Sequence, residues 1–150
     1  MDRIEELLAI QDCIALMTDY NIHLDNVDAD AFVALFTQDA VFRRVVPAEP
    51  ALEFTGHAGL RRSLELVIQA SPRIRRHLLS NARVTIVDDR EARGFCIGLA
   101  IHGPRGTLPV PMGGLELVGE YRDTYRRTAE GWRIARRELT RIIDLDAVAG

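Results

Sequence analysis

The second half of this chain alternates in period two almost without interruption, and that pattern limits the folds open to it more than any other. Four long runs, at about 74–87, 91–102, 113–127 and 131–143, have the alternation of strands. Short polar turns join them, among them Asp88-Asp89 and Ala129-Glu130-Gly131. The first half has a helical period instead. Residues from about 3 to 26 bring Ile4, Leu7, Leu8, Ile10, Ile14, Leu16 and Met17 to one predicted apolar face. Asp28 reads as the N-cap of a second helix, Ala29 to Phe36, with Phe32, Leu35 and Phe36 turned inward. A short strand at Ala40–Val46 and a Pro-bounded loop follow. Gly56 then starts a third helix through Leu60, Leu64, Val67 and Ile68, which Pro72 closes. Helices gathered at the front and a long antiparallel meander at the back predict an α+β fold, not a doubly wound parallel sheet.

Composition narrows the function classes. With 150 residues and 47% hydrophobic content, residues 1–150 are expected to form one domain with a sizeable core, leaving about 144–150 as a C-terminal tail. A net charge of −3 argues against a nucleic-acid surface, which needs a basic stripe. No apolar run is long enough to span a bilayer, so no membrane partner is expected. The opening MDRIEELLAIQD is acidic and amphipathic, unlike a signal peptide, and a cytoplasmic protein is the expectation. Cys13 and Cys96 stand alone, with no CxxC or CxxH spacing, so neither a disulfide framework nor a zinc site is expected. All 19 basic residues are arginines, which removes Schiff-base chemistry and the lysine of a phosphate-binding P-loop.

In the run at 91–102, one face carries Ala92, Gly94, Cys96, Gly98, Ala100 and His102, and the other Arg93, Phe95, Ile97, Leu99 and Ile101. Small residues ending in a histidine suit the concave side of a curved sheet, where bulk would fill a cavity. The outer face mixes apolar bulk with exposure and predicts a homo-oligomer. The connection Gly103–Gly114 is rich in Gly and Pro yet carries Leu108, Val110 and Met112, which fits a lid over a pocket or an oligomer contact. Single residues are more ambiguous. Asp25 sits where a helix-end carboxylate often does, His77 follows Arg73, Arg75 and Arg76 as a surface histidine would, and His102 precedes the turn Gly103-Pro104. His23-Leu24-Asp25 has an H-x-D spacing, but residues two apart on a helix point about 200° away from each other and cannot chelate together. His57, just past a helix start, is expected to be exposed, and Asp39 and Asp123 to be structural.

The elements Tyr20-x4-Asp25, Phe36-Thr-Gln-Asp39-Ala40, Gly56, Arg76-His77 with Asn81, Gly119-x-Tyr121-x-Asp123 and Gly131-Trp132 resemble the SnoaL-like branch of the NTF2-like superfamily, from about residue 5 to 143. That resemblance implies an NTF2-like cone-shaped barrel, with N-terminal helices packed on a strongly curved, mostly antiparallel sheet. It aims Asp25, His77 and His102 into one buried pocket. The scytalone dehydratases of this group are similar at their catalytic aspartate and two histidines, which fall on Asp25, His77 and His102 with no gap between positions 77 and 102. They differ where they carry serine and asparagine and this chain has Gly119 and Tyr121. The bile-acid 7α-dehydratases are similar at Tyr20, Asp25, His77 and Arg141, and the hexachlorocyclohexane dehydrochlorinases at Asp25 and His77. The shared implication is an elimination that uses no cofactor and no metal, and the resemblance further implies a homodimer or homotrimer.

On this reading Asp25 holds the His77 imidazole in one tautomer, and His77 removes a proton beside a carbonyl. His102 or Tyr20 donates a proton to the departing hydroxyl. Arg141 stabilises developing negative charge, and Tyr121, Phe42, Cys96 and Met112 join it in holding the substrate. The expected activity is a dehydratase-type lyase acting on a small hydrophobic cyclic or polyketide-like molecule. An isomerase or polyketide cyclase shares the first step. The rival from another class is a non-catalytic scaffold, like the small subunit of a ring-hydroxylating dioxygenase, which has no use for an Asp–His pair in a closed cavity.

Overall fold

A computed structural model describes residues 1–70 and 73–144, with the backbone alone for residues 68–70 and 144. The expected stop at Pro72 lies outside the described residues. Three helices, α1 (Arg3–Asn26), α2 (Ala29–Ala34) and α3 (Gly56–Ala70), accompany six strands among the described residues. The strands are β1 (Phe36–Val45), β2 (Leu52–Thr55), β3 (Arg73–Ile86), β4 (Glu91–Pro104), β5 (Gly114–Thr128) and β6 (Gly131–Asp144). They form one sheet in the order β2-β1-β6-β5-β4-β3, antiparallel throughout except where β1 runs parallel to β6. The four late strands follow the predicted alternation closely. By contrast β2, four residues inside the Pro-bounded loop, is too short for a period to register.

The sheet does not close into a barrel. Its edges are β2 and β3, and the helices complete the enclosure: α1 lies against β3, and α3 against β1 and β2. Among the described residues no helix is long and apolar enough to cross a membrane.

Local chemistry sets the ends of α1. The Asp2 carboxylate accepts from the backbone N–H groups of Ile4 and Glu5 at 2.8 and 2.9 Å, while the Asp2 N–H donates to the Glu5 carboxylate. At the other end Val27 takes the left-handed conformation, φ 58°. Its N–H donates to the Leu24 carbonyl and the Asp28 N–H to that of His23. Glycine normally fills such a position, and a β-branched residue there costs about 1–3 kcal/mol. That strained residue stands two positions past Asp25.

The buried face of α1 matches the one its periodicity picks out only in part: Leu16 and Met17 are buried and Ile10 and Ile14 half-buried, but the first turns differ. Ala9, Cys13, Leu16, Met17, Tyr20 and Asn21 are buried, whereas Ile4, Leu7 and Leu8 are 58–70% exposed. The helix is apolar on nearly every side, so period alone cannot choose, and the sheet chooses instead. A Cβ on Gly94 would lie 2.6 Å from Met17 Cε, so the flexible methionine fills space that the glycine leaves open.

The small residues of β4 have the same explanation, which corrects their reading as the wall of an empty cavity. A Cβ on Gly98 would fall 2.4 Å from the Tyr121 ring, and one on Gly94 2.7 Å from that of Tyr125. Ala92, Cys96 and Ala100 between them are fully buried. The strand is thin because aromatic rings fill the space above it. His57 also departs from expectation: it is half-buried, and its Nε2 lies 3.1 Å from the Phe36 carbonyl oxygen.

Candidate active site

Asp25 and His77 meet from two different elements. Asp25 is in the last turn of α1, and His77 is on β3 opposite Ala100 of β4, which fixes its side chain to the inner face. Asp25 Oδ1 lies 2.6 Å from His77 Nδ1, and Oδ2 accepts the His77 backbone N–H at 2.9 Å. Only 9% of the Asp25 side chain and 10% of the His77 side chain are exposed. An ionised carboxylate only accepts, so the pairing assigns the proton to Nδ1 and leaves the Nε2 lone pair free to act as a base.

The His77 ring lines a cavity between the sheet and the helices, with a free volume of about 50 Å³. Aromatic rings form much of its wall. Tyr20 packs edge-on against Tyr121 at 6.1 Å and against Phe42 at 6.4 Å between ring centroids. Arg137 stacks on both phenols, its guanidinium carbon 4.1 Å from the Tyr20 centroid and 4.9 Å from that of Tyr121. Asp123 grips this arginine through two hydrogen bonds of 2.8 and 2.7 Å, and the Tyr125 hydroxyl donates to the same carboxylate. The Arg137 and Asp123 side chains are 1% and 0% exposed, so the ion pair is dry and its partners are mutually satisfied. Burial pushes the Tyr20 and Tyr121 hydroxyls above the usual tyrosine range, with the positive charges of Arg137 and, at Tyr20, Arg44 pulling the other way. Both phenols therefore stay protonated and able to donate.

Arg44, Ser63, Arg141 and the pair Arg75–Glu116 complete the polar part of the lining. Arg75 Nε donates to Glu116 at 2.7 Å, and these side chains are 10% and 13% exposed. Sequence reasoning missed this pair and Arg44. Arg75 sits in an arginine-rich string that reads as surface. Glu116 is the extra residue of a bulge, where Leu115 and Leu117 pair with the adjacent Ile101 and Ala100, so no regular alternation points it inward. A second recess shares Leu24, Leu64, Val67, Arg75 and His77 with the first and adds Asp25, Val27, Arg73 and Arg105. The Gly103–Gly114 connection thus sends one arginine toward the Asp25–His77 pair.

His102 does not line this cavity. It is opposite Arg75, two residues beyond the His77–Ala100 level. Its Nε2 lies 3.3 Å from Arg73 Nη1, and Gly113 covers its ring so tightly that a Cβ there would be 2.6 Å from Nδ1. With Val110 and Met112 it lines a separate, shallower recess. Met112 itself is 74% exposed, because the loop that carries it lies outside the cavity. Cys96 is absent from the cavity lining as well: it is fully buried, with burial pushing its thiol up to about 12. Tyr20, Phe42, Tyr121, His77 and Arg141 do line it. Among the described residues no three His, Cys, Asp or Glu side chains converge as a metal site requires.

The profile of the SnoaL-like domain matches residues 5–138. None of the curated proteins compared with the chain matches it. Among solved structures, a candidate scytalone dehydratase from Novosphingobium aromaticivorans is 31% identical with a TM-score of 0.73, over 95% of this chain and 88% of that one. A candidate aromatic ring hydroxylase from the same organism is 29% identical with a TM-score of 0.71, over 95% and 93% of the two chains. ActVI-ORFA of Streptomyces coelicolor, 21% identical with a TM-score of 0.70 over 87% and 95%, shares the fold.

Proposed function

The chain belongs to the SnoaL-like domain family, and on that premise we propose that it is a cofactor-independent lyase that eliminates water from a small, largely apolar cyclic molecule. The observation that carries this reading is the 2.6 Å pairing of Asp25 with His77 on the wall of an aromatic-lined cavity. His77 Nε2 takes the proton beside the substrate carbonyl, and Asp25 stabilises the imidazolium that results. As the carbon–oxygen bond breaks, a phenol proton goes to the departing hydroxyl, which leaves as water. Because His102 lies outside the cavity, that donor is Tyr20 or Tyr121. Arg141 offsets charge on the enolate oxygen. General acid–base action of this kind contributes about 10²–10⁴-fold per group. The likeness to a candidate scytalone dehydratase supports the reaction class.

The free volume of about 50 Å³ is below the range of about 300–1,000 Å³ usual for ligand pockets. A cyclic substrate therefore enters by displacing long side chains of the lining, Arg44 and Arg141 first among them. The test is a panel of cyclic β-hydroxy ketones assayed for loss of water, with His77→Ala as the control. Turnover that falls by about 10³-fold or more in the variant, with its circular dichroism unchanged, is the expected result. Full activity in His77→Ala removes the base from the mechanism. Exchange of the substrate α-proton with deuterated solvent, without loss of water, favours an isomerase using the same first step.

The protein is further proposed to act as a homo-oligomer. Leu78, Leu99, Val118 and Ile143 pair across four strands in one row on the sheet's outer face, and Leu78 and Ile143 are about half exposed. Sedimentation should detect a dimer or trimer that Leu99→Glu dissociates; a monomeric wild-type protein ends this reading.

A further inference from the structure

We propose that the ligand of this cavity carries a carboxylate on its ring, and that Arg44 is the residue that binds it. This rests on the cavity being the binding site, as above, and is independent of the elimination chemistry. Arg44 is on β1, paired with Leu139 of β6, and like Phe42 before it and Leu139 beside it, it lines the cavity. Its neighbour Arg43 points to the other face and is bound by Glu138 at 2.8 Å. Among the described residues Arg44 has no such acid and makes no hydrogen bond or ion pair.

The carboxylates near the cavity are already committed, Glu116 to Arg75 and Asp25 to His77. Arg44 is half-buried, close enough to Tyr20 for its charge to act on the phenol, and so stands beside the aromatic wall. A partly desolvated cation with no counter-charge is unfavourable unless an anion or solvent reaches it. A guanidinium offers two parallel donors, the match for a carboxylate, and a neutral ligand would leave that fork unused. An apolar ring against Tyr20, Phe42 and Tyr121 with a carboxylate toward Arg44 uses both features at once.

Benzoate and benzamide, nearly equal in shape and different in charge, make the test by isothermal calorimetry on the full chain. Benzoate should bind about ten- to a hundredfold more tightly than benzamide, the range of a charge-assisted hydrogen bond. Arg44→Gln should abolish that preference, and Arg44→Lys should retain part of it. Equal affinity for the two ligands, or no measurable binding of benzoate, overturns the proposal. So does a preference that survives Arg44→Gln, which would place the charge recognition on another group. Binding is the readout throughout, so failure of the lyase reading leaves this result standing, and the reverse also holds.

Discussion

Replacing Asp25 by asparagine keeps the size of the side chain and changes only what it can donate and accept. In the native site one carboxylate serves two His77 donors, the backbone N–H at 2.9 Å and ring Nδ1 at 2.6 Å. In Asp25→Asn the amide oxygen can keep the backbone N–H, and the amide NH₂ then faces Nδ1. Two donors cannot share a hydrogen bond, so the ring proton moves to Nε2 and Nδ1 becomes the acceptor. The cavity-facing nitrogen is then a donor and no longer a base. Loss of the correct tautomer costs a histidine base about 10⁴-fold in a serine protease, which at 1.36 kcal/mol per decade is about 5.4 kcal/mol of barrier.

Stability should move far less, by about 1–2 kcal/mol, because a charge-assisted hydrogen bond is exchanged for a neutral one. At about 2–4 °C per kcal/mol for a chain of this size, Tm falls by about 2–8 °C. Asp25→Ala should cost about 1–3 kcal/mol more, since it leaves the His77 N–H without its acceptor. Nitrogen-15 spectra of the histidine ring read the tautomer directly and need no substrate. Identical ring-nitrogen shifts in the wild type and Asp25→Asn would refute the argument, as would an Asp25→Asn variant with turnover within tenfold of the wild type.

Asp123→Asn leaves the Arg137 charge fully buried with a neutral partner and should cost about 3–5 kcal/mol in denaturant unfolding. Replacing both members together, Asp123→Leu with Arg137→Met, should recover much of that loss; a cost below about 1 kcal/mol in the single variant would mean that water reaches the pair. All three tyrosines, Tyr20, Tyr121 and Tyr125, are buried with phenol groups raised by burial. Folding therefore retains protons above about pH 10 that the unfolded chain releases, so the stability is fully present below that pH and is lost as pH rises through the folded values. Phenolate absorbance should stay flat through pH 10 and appear only with cooperative unfolding; a tyrosine that titrates near 10 in the native protein contradicts the packing. Val27→Gly relieves a left-handed β-branched residue and should raise stability by about 0.5–1 kcal/mol in thermal melts; a loss of stability would show that packing of the Val27 side chain outweighs the strain.

Much of the fold was legible because it is written in local terms. Period two marks β3 to β6, and the helical recurrence of apolar residues from about position 3 marks α1. Asp88 accepts from the N–H groups of Arg90 and Glu91 and closes the turn between β3 and β4. Each of these is a relation between residues a few positions apart, so the sequence states it directly. Asp25 and His77 were picked out by resemblance. Their separation in space depends on α1 ending beside the inner face of β3, which no spacing along the chain encodes.

The remaining features depend on how the elements meet. Two apolar faces of α1 competed, and its packing against β3 selected the one with Ala9 and Cys13. His102 has the right residue type and the right parity on its strand, yet its ring lies beside Arg73 and under Gly113, in a separate recess. Glu116 turns inward only because a bulge breaks the alternation of β5. Arg43 and Arg44 look alike in sequence, and the register of β1 against β6 gives one of them an acid and the other a cavity. The sequence by itself determined the order and type of nearly every element, since propensity, capping and turn chemistry act over a few residues. The tertiary structure alone decided which polar groups share the cavity, because one shift of register or one bulge exchanges inside for outside.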